Sequence, residues 1–172
     1  MRRKIAFDLA GNAHASSNTA TVTTPAAIVP VTIATNIAPL ASVTASSQST
    51  GTNQQAVKAI DNVIDGYPGD YTREWVTIGQ KAGAWILFNW SKSYTVNQVV
   101  LFDRPNTNDQ ITSATLTFSN GSTVQVGSLN NNGGAMIINF PAVVTTSIKV
   151  TIKTVSSSTS NIGLSELRAY GF

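Results

Sequence analysis

The sequence predicts an all-β domain of antiparallel strands, folded as a sandwich or a barrel. Three observations carry that prediction. Apolar and polar residues alternate with a period of two along much of the chain, as strands with one buried face require. Clusters of turn-forming Asn, Gly and Pro recur about every 8–12 residues. One short segment, Gln54 to Ile60, is the sole helical candidate, and it is a turn or two long.

The elements follow in order. Val43 to Ser46 opens the domain as a strand. Ala84 to Trp90 (AWILFNW) and Tyr94 to Phe102 (YTVNQVVLF) are apolar on both faces for part of their length, which predicts two buried central strands. Ala114 to Phe118 (ATLTF) alternates strictly and runs into Asn120-Gly121, a dipeptide suited to the two positive φ angles of a type I′ turn. Ser122 to Gly127 should therefore return beside it. The NNNGG run from Asn130 to Gly134 marks the next turn, after which Met136, Ile138 and Phe140 alternate again. Ile148 to Lys153 (IKVTIK) is the clearest half-buried strand, and Gly163 to Tyr170 (GLSELRAY) closes the sheets.

Composition excludes many chemistries. The chain of 172 residues has 42% hydrophobic and 11% charged residues, against about 25% charged in an average domain. Ser, Thr and Asn number 55, so neutral polar groups must cover much of the surface. Thirteen aromatics and frequent Val and Ile separate it from disordered chains. There is no Cys, and His14 is the one histidine, which removes thiolate metal sites, disulfides and nearly all His-assisted nucleophilic catalysis. The formal charge of +3 owes much to Arg2, Arg3 and Lys4; from Asn36 onward eight scattered Lys and Arg face seven acids. No basic stripe of the kind that nucleic acid requires is visible.

Residues 1–35 read as an N-terminal tail or linker, and residues 36–172 as the folded domain. MRRK followed by an apolar stretch resembles a signal peptide, but Asp8 interrupts it. The segment reads better as the end of a preceding β-domain followed by a Pro-punctuated linker. No apolar run approaches the length of a membrane span.

One segment breaks the alternation. Lys58 to Trp75 (KAIDNVIDGYPGDYTREW) holds Asp61, Asp65, Asp70 and Glu74, half of all the acids, with Tyr67, Tyr71 and Trp75 among them. A long loop this rich in carboxylates, Gly and aromatics suits a cation site or a ligand site, though turn-forming Asp and Gly in a solvated loop would look similar.

With these residues in view, the chain resembles a known family. NIAPLASVTASSQST, then AIDNVIDG followed by a Trp, WILF, VVLFDRP and the closing GLSELRAYG are similar to the galactose-binding-like, discoidin or coagulation-factor C-type family, in particular family 32 carbohydrate-binding modules. The resemblance covers Asn36 to Phe172 and is nearest to modules appended to secreted carbohydrate-active enzymes, including PIG-L-type sugar deacetylases. It implies a jelly-roll β-sandwich. It also implies a structural calcium, held by the Asp61 carboxylate, the Lys58 and Val63 carbonyls, the Glu166 carboxylate and the Ser165 carbonyl. Where the family often has a Thr ligand after an Asp-Gly turn, this chain has Tyr67. The implied sugar-binding positions are Tyr71, Arg73 and Trp75 in the long loop and Arg104, Asn106, Asn108 and Asp109 in the DRPNTND loop. Each has a plainer use: Trp75 suits a core, and Arg104 suits an ion pair with Asp103, Asp109 or Glu74.

The sequence is thus expected to encode a non-catalytic carbohydrate-binding module of a secreted, multi-domain protein, with a glycan as partner and neither nucleic acid nor membrane insertion. The alternative is a structural or adhesive module that packs on a neighbouring catalytic domain without binding sugar. A glycosidase using two of the loop acids is the third class, and the same acids are better employed on a cation.

Overall fold

A computed structural model describes Ala10 and residues 33–172. The readings of residues 1–9 and 11–32 as a tail, signal peptide or linker lie outside the described residues. The chain divides after Val31, and the unit that begins at Thr32 carries the fold described below.

Nine strands form it: β1 (Thr35–Asn36), β2 (Ser42–Ala45), β3 (Trp75–Val76), β4 (Trp85–Phe102), β5 (Ile111–Phe118), β6 (Thr123–Val126), β7 (Ala135–Val155), β8 (Gly163–Leu164) and β9 (Glu166–Gly171). Every strand pairing is antiparallel. The two long strands organise the rest. The first part of β4 pairs with β2, its last part pairs with β9, and β7 accompanies it throughout, from Trp85 opposite Thr151 to Phe102 opposite Ala135. Both strands therefore bend from one layer into the other, and register shifts at Asn89/Tyr94 and Val96/Gln98 absorb the corner. One layer reads β1-β9-β4-β7 and the other β2-β4-β7-β5-β6, which is an antiparallel β-sandwich.

Between the layers lies a single core that includes Trp75, Ile86, Phe88, Leu101, Leu116, Ile148, Val150, Ile152 and Leu167. The alternation read from IKVTIK is present as predicted: Ile148, Val150 and Ile152 are buried, whereas Lys149, Thr151 and Lys153 face outward.

Three expectations need correction. AWILFNW and YTVNQVVLF are one bent strand, as are the Met136 and Ile148 segments, because the polar residues between them form bulges and corners instead of turns. The Gly163 to Tyr170 strand breaks at Ser165, whose N–H turns to Phe102 O. The β5–β6 turn is not type I′: Gly121 has φ 85° and Asn120 does not share the left-handed region. Gly121 N–H bonds to Phe118 O and Phe118 N–H to Ser122 O, which is a three-residue loop ending in a left-handed glycine. At the start of the expected domain, Asn36 pairs with Tyr170 of β9 and Ala38–Leu40 forms a 3-10 turn, and Thr35, at the expected boundary, pairs with Gly171.

The loops that matter gather where both ends of β4 lie. Ser46 N–H bonds to Trp85 O, Ile162 N–H to Gln80 O and Ser165 N–H to Phe102 O, while β3 pairs with β8 across the same end.

Candidate functional site

The long loop folds in three pieces. Ala56–Ile60 forms a 3-10 helix, which replaces the helix expected from Gln54, and Asp61 ends it by accepting Val63 N–H on Oδ1 at 2.9 Å. Asp65 Oδ1 accepts the Gly66 and Asp70 amides, closing the turn around Pro68. Asp70 then caps the 3-10 turn Tyr71–Arg73 through Thr72 N–H and Thr72 Oγ1. These bonds hold the Asp70 carboxyl below its usual range.

Beneath this loop is a buried ionic cluster. Arg104 donates through Nη2 to Glu74 Oε1 at 2.9 Å and through Nη1 to Asp109 Oδ2 at 2.7 Å. Gln54 Nε2 also reaches Glu74 Oε1, at 2.8 Å, and Asn106 Nδ2 and Ser160 N–H complete Asp109. Asp103 accepts the Arg104 N–H on one oxygen and the Ile111 N–H on the other, which starts β5. Glu74 is 0% and Arg104 5% exposed. Burial pushes the Glu74 carboxyl up against the pull of Arg104, and pushes Asp103 up to about 7 against its two amide donors. Glu74 Oε2 and Arg104 Nε have no hydrogen-bond partner. The fit is close: a Cβ on Gly66 would strike Glu74 and Pro105, and one on Gly163 would strike Trp75 O and Arg104.

The predicted sugar-contacting residues therefore divide. Tyr71, Arg73 and Asn108 are exposed, and Asn106 is half-buried. Tyr71 is 49% exposed and Tyr67, beside it in the same loop, is 53% exposed. Trp75 is corrected: its ring is fully buried in the core and its Nε1 donates to Ser47 O at 2.9 Å, so it offers no stacking face. Arg104 and Asp109 are also buried, each neutralising the other, and they brace the loops from below. Tyr67 was not singled out as a sugar contact, although the long loop held it in plain view.

Of the predicted calcium residues, Asp61 and Glu166 come together from two ends of the domain. Asn62 N–H donates to Glu166 Oε2 at 3.3 Å, bringing the Asp61 turn onto the start of β9. Glu166 is 0% exposed, and burial pushes its carboxyl up to about 7, opposed by Arg168 and reinforced by the Asp61 charge. Asp61 Oδ2 and Glu166 Oε1 are buried without a hydrogen-bond partner. Long ion pairs reach them, from Arg73 at 3.5 Å and from Arg168 at 3.6 Å. Two bare carboxylate oxygens suit a hard cation. Among the described residues no three His, Cys, Asp or Glu side chains cluster around one point, so backbone carbonyls such as those of Lys58, Val63 and Ser165 would have to complete the shell.

With this geometry established, comparison places the domain. Residues 36–170 match the model of a family described as a domain of unknown function, DUF7402. The chain belongs to this family. No curated protein matches it. Solved structures do resemble the DUF7402 domain. The family 32 carbohydrate-binding module of C. perfringens NanJ, in complex with galactose, superposes with a TM-score of 0.64 at 21% identity, over 80% of this chain and 99% of that one. A chitosan-binding module from a chitosanase/glucanase of Paenibacillus sp. IK-5 gives 0.62 at 26% identity, over 80% and 99%. A fucolectin from striped bass serum gives 0.63 at 19% identity, over 81% of this chain and 49% of that one. The DUF7402 domain thus has the galactose-binding-like β-sandwich fold of carbohydrate-binding modules and discoidin-like lectins.

Proposed function

We propose that the domain is a non-catalytic carbohydrate-binding module that grips a glycan at its loop end. The observation that carries this is the pair of exposed rings, Tyr67 and Tyr71, on a loop braced by a buried Arg104–Glu74–Asp109 cluster. Rings held on a rigid base offer stacking area at little entropic cost. Asn106, Asn108 and Arg73 supply the neutral and charged donors that vicinal hydroxyls need. The fold of known sugar-binding modules supports the reading.

A structural calcium between Asp61 and Glu166 belongs to the same proposal, with the Lys58, Val63 and Ser165 carbonyls as further ligands. Bound there, it would neutralise two buried carboxylates and tie the long loop to β9. We place the module in a secreted, multi-domain protein, beside a catalytic domain. Affinity electrophoresis through gels containing galactan, chitosan or other polysaccharides tests the sugar reading. Retention is expected, and Tyr71→Ala should weaken it at least tenfold without shifting Tm, because the ring is exposed. No retention on any polysaccharide, joined to a large apolar interface with a neighbouring domain, would favour the structural alternative.

A further inference from the structure

A second surface is built for a different ligand. A depression of about 440 Å³ opens beside the start of β4, lined by Ser46, Gln80, Lys81, Ala82, Gly83 and Trp85, among others. That volume is within the range of small-ligand sites. Its floor is fixed by the backbone: Gly83 N–H bonds to Ile152 O at 2.8 Å, Ala84 N–H to Lys81 O, and Thr77 Oγ1 to Gln80 O. Ser46 Oγ donates to Gln80 Oε1 at 2.6 Å, which leaves the amide nitrogen as the free polar end of that side chain.

Charge distinguishes this surface from the rest of the domain. Lys149 holds its ammonium 4.6 Å from the centroid of the Trp85 ring. Lys153 lies on the same outward face of β7 four residues on, about 13 Å away at ~3.3 Å per residue, and the Gly83–Trp85 segment runs alongside between them. Lys81 rises from the loop at the lip of the depression. Of the five ion pairs among the described residues, every one uses an arginine, so all three lysines lack an acidic partner. No Asp or Glu lines the depression. The surrounding outward residues Thr44, Thr117 and Thr151 carry hydroxyls.

We propose that this face binds an anionic polysaccharide, with Lys81, Lys149 and Lys153 pairing with its carboxylate or sulfate groups and Trp85 and the hydroxyl rows meeting its sugar faces. The proposal is independent of the loop-end reading. Three spaced cations around one indole suit a polymer with intermittent charge, whereas nucleic acid would call for a denser basic stripe than a domain of near-zero net charge provides.

The test is binding of the intact chain to polygalacturonate and to dextran sulfate, with neutral dextran and duplex DNA as comparisons. Binding to at least one of the acidic polymers, weakening with salt, is expected, and the two arms separate carboxylate from sulfate recognition. The triple variant Lys81→Gln, Lys149→Gln, Lys153→Gln should bind at least tenfold more weakly, and Lys92→Gln, at the bend in the middle of β4, should bind as wild type. As a second readout, the Trp85 indole N–H resonance of the wild type should move on titration, while those of Trp75 and Trp90, bonded to Ser47 O and Ile37 O, stay in place. Binding to neither acidic polymer, unchanged binding by the triple variant, a stationary Trp85 resonance, or equal affinity for DNA would each overturn the proposal.

Discussion

Replacing Arg104 with Met should unlock the loop end, and the size of the effect can be worked from the cluster. Arg104 and Glu74 are joined at 2.9 Å and Arg104 and Asp109 at 2.7 Å, with side chains between 0% and 7% exposed. Met fills a similar volume but leaves two carboxylates buried without their cation, a loss of about 3–5 kcal/mol. Against a total stability of roughly 5–15 kcal/mol, that is a large fraction. The pH dependence separates this cause from simple mispacking. In the wild type, Asp103 titrates at about 7 in the fold and near 3.8 unfolded, so between those values the folded chain binds more protons. Its contribution to stability is therefore greatest at low pH and declines as pH rises towards 7. Without Arg104, whose charge lowers both Asp103 and Glu74, these acids would rise further and the decline would steepen. Urea unfolding followed by tryptophan fluorescence at pH 7.5 and pH 5 reads both quantities. The deficit of the variant should be about 3–5 kcal/mol at pH 7.5 and clearly smaller at pH 5. A deficit below about 1 kcal/mol at pH 7.5, or one that does not shrink on acidification, would refute the reasoning.

Two other outcomes follow from the same description. Calcium at a hundredfold excess over its Kd should stabilise the wild type by about 2.7 kcal/mol, and Glu166→Gln should abolish that gain in a thermal melt; an equal gain in the variant would remove calcium from this site. Trp75→Phe deletes the Nε1 bond to Ser47 O and should cost about 1–3 kcal/mol in denaturant unfolding while leaving polysaccharide retention intact, because the ring is core and not platform.

Much of the fold was legible because β-sheet burial writes itself into a period of two. Ile148, Val150 and Ile152 needed no knowledge of their partners to be placed inward. The unity of β4 was not legible: polar Ser91 to Ser93 separates two apolar runs, and only the companion strand β7, more than forty residues away, shows that the ladder continues around a corner. Arg104 was legible only as a pair of alternatives, a sugar contact or an ion-pair partner of Asp103, Asp109 or Glu74. A charged residue is placed outside unless its counter-ions fold onto it, and one of the two it meets, Glu74, lies thirty residues upstream. Similarly, the lysines around Trp85 come from β7 and from the loop before β4, so no local run of basic residues announced them.

The pairing of β1 with β9 couples the two ends of the described fold. Thr35 lies opposite Gly171 and Asn36 opposite Tyr170, and Phe172 is bonded to Thr95 at the corner of β4. Fraying of either segment would strip the other of these ladder partners, so Thr35–Asn36 and the last residues of β9 should open and close together in hydrogen exchange.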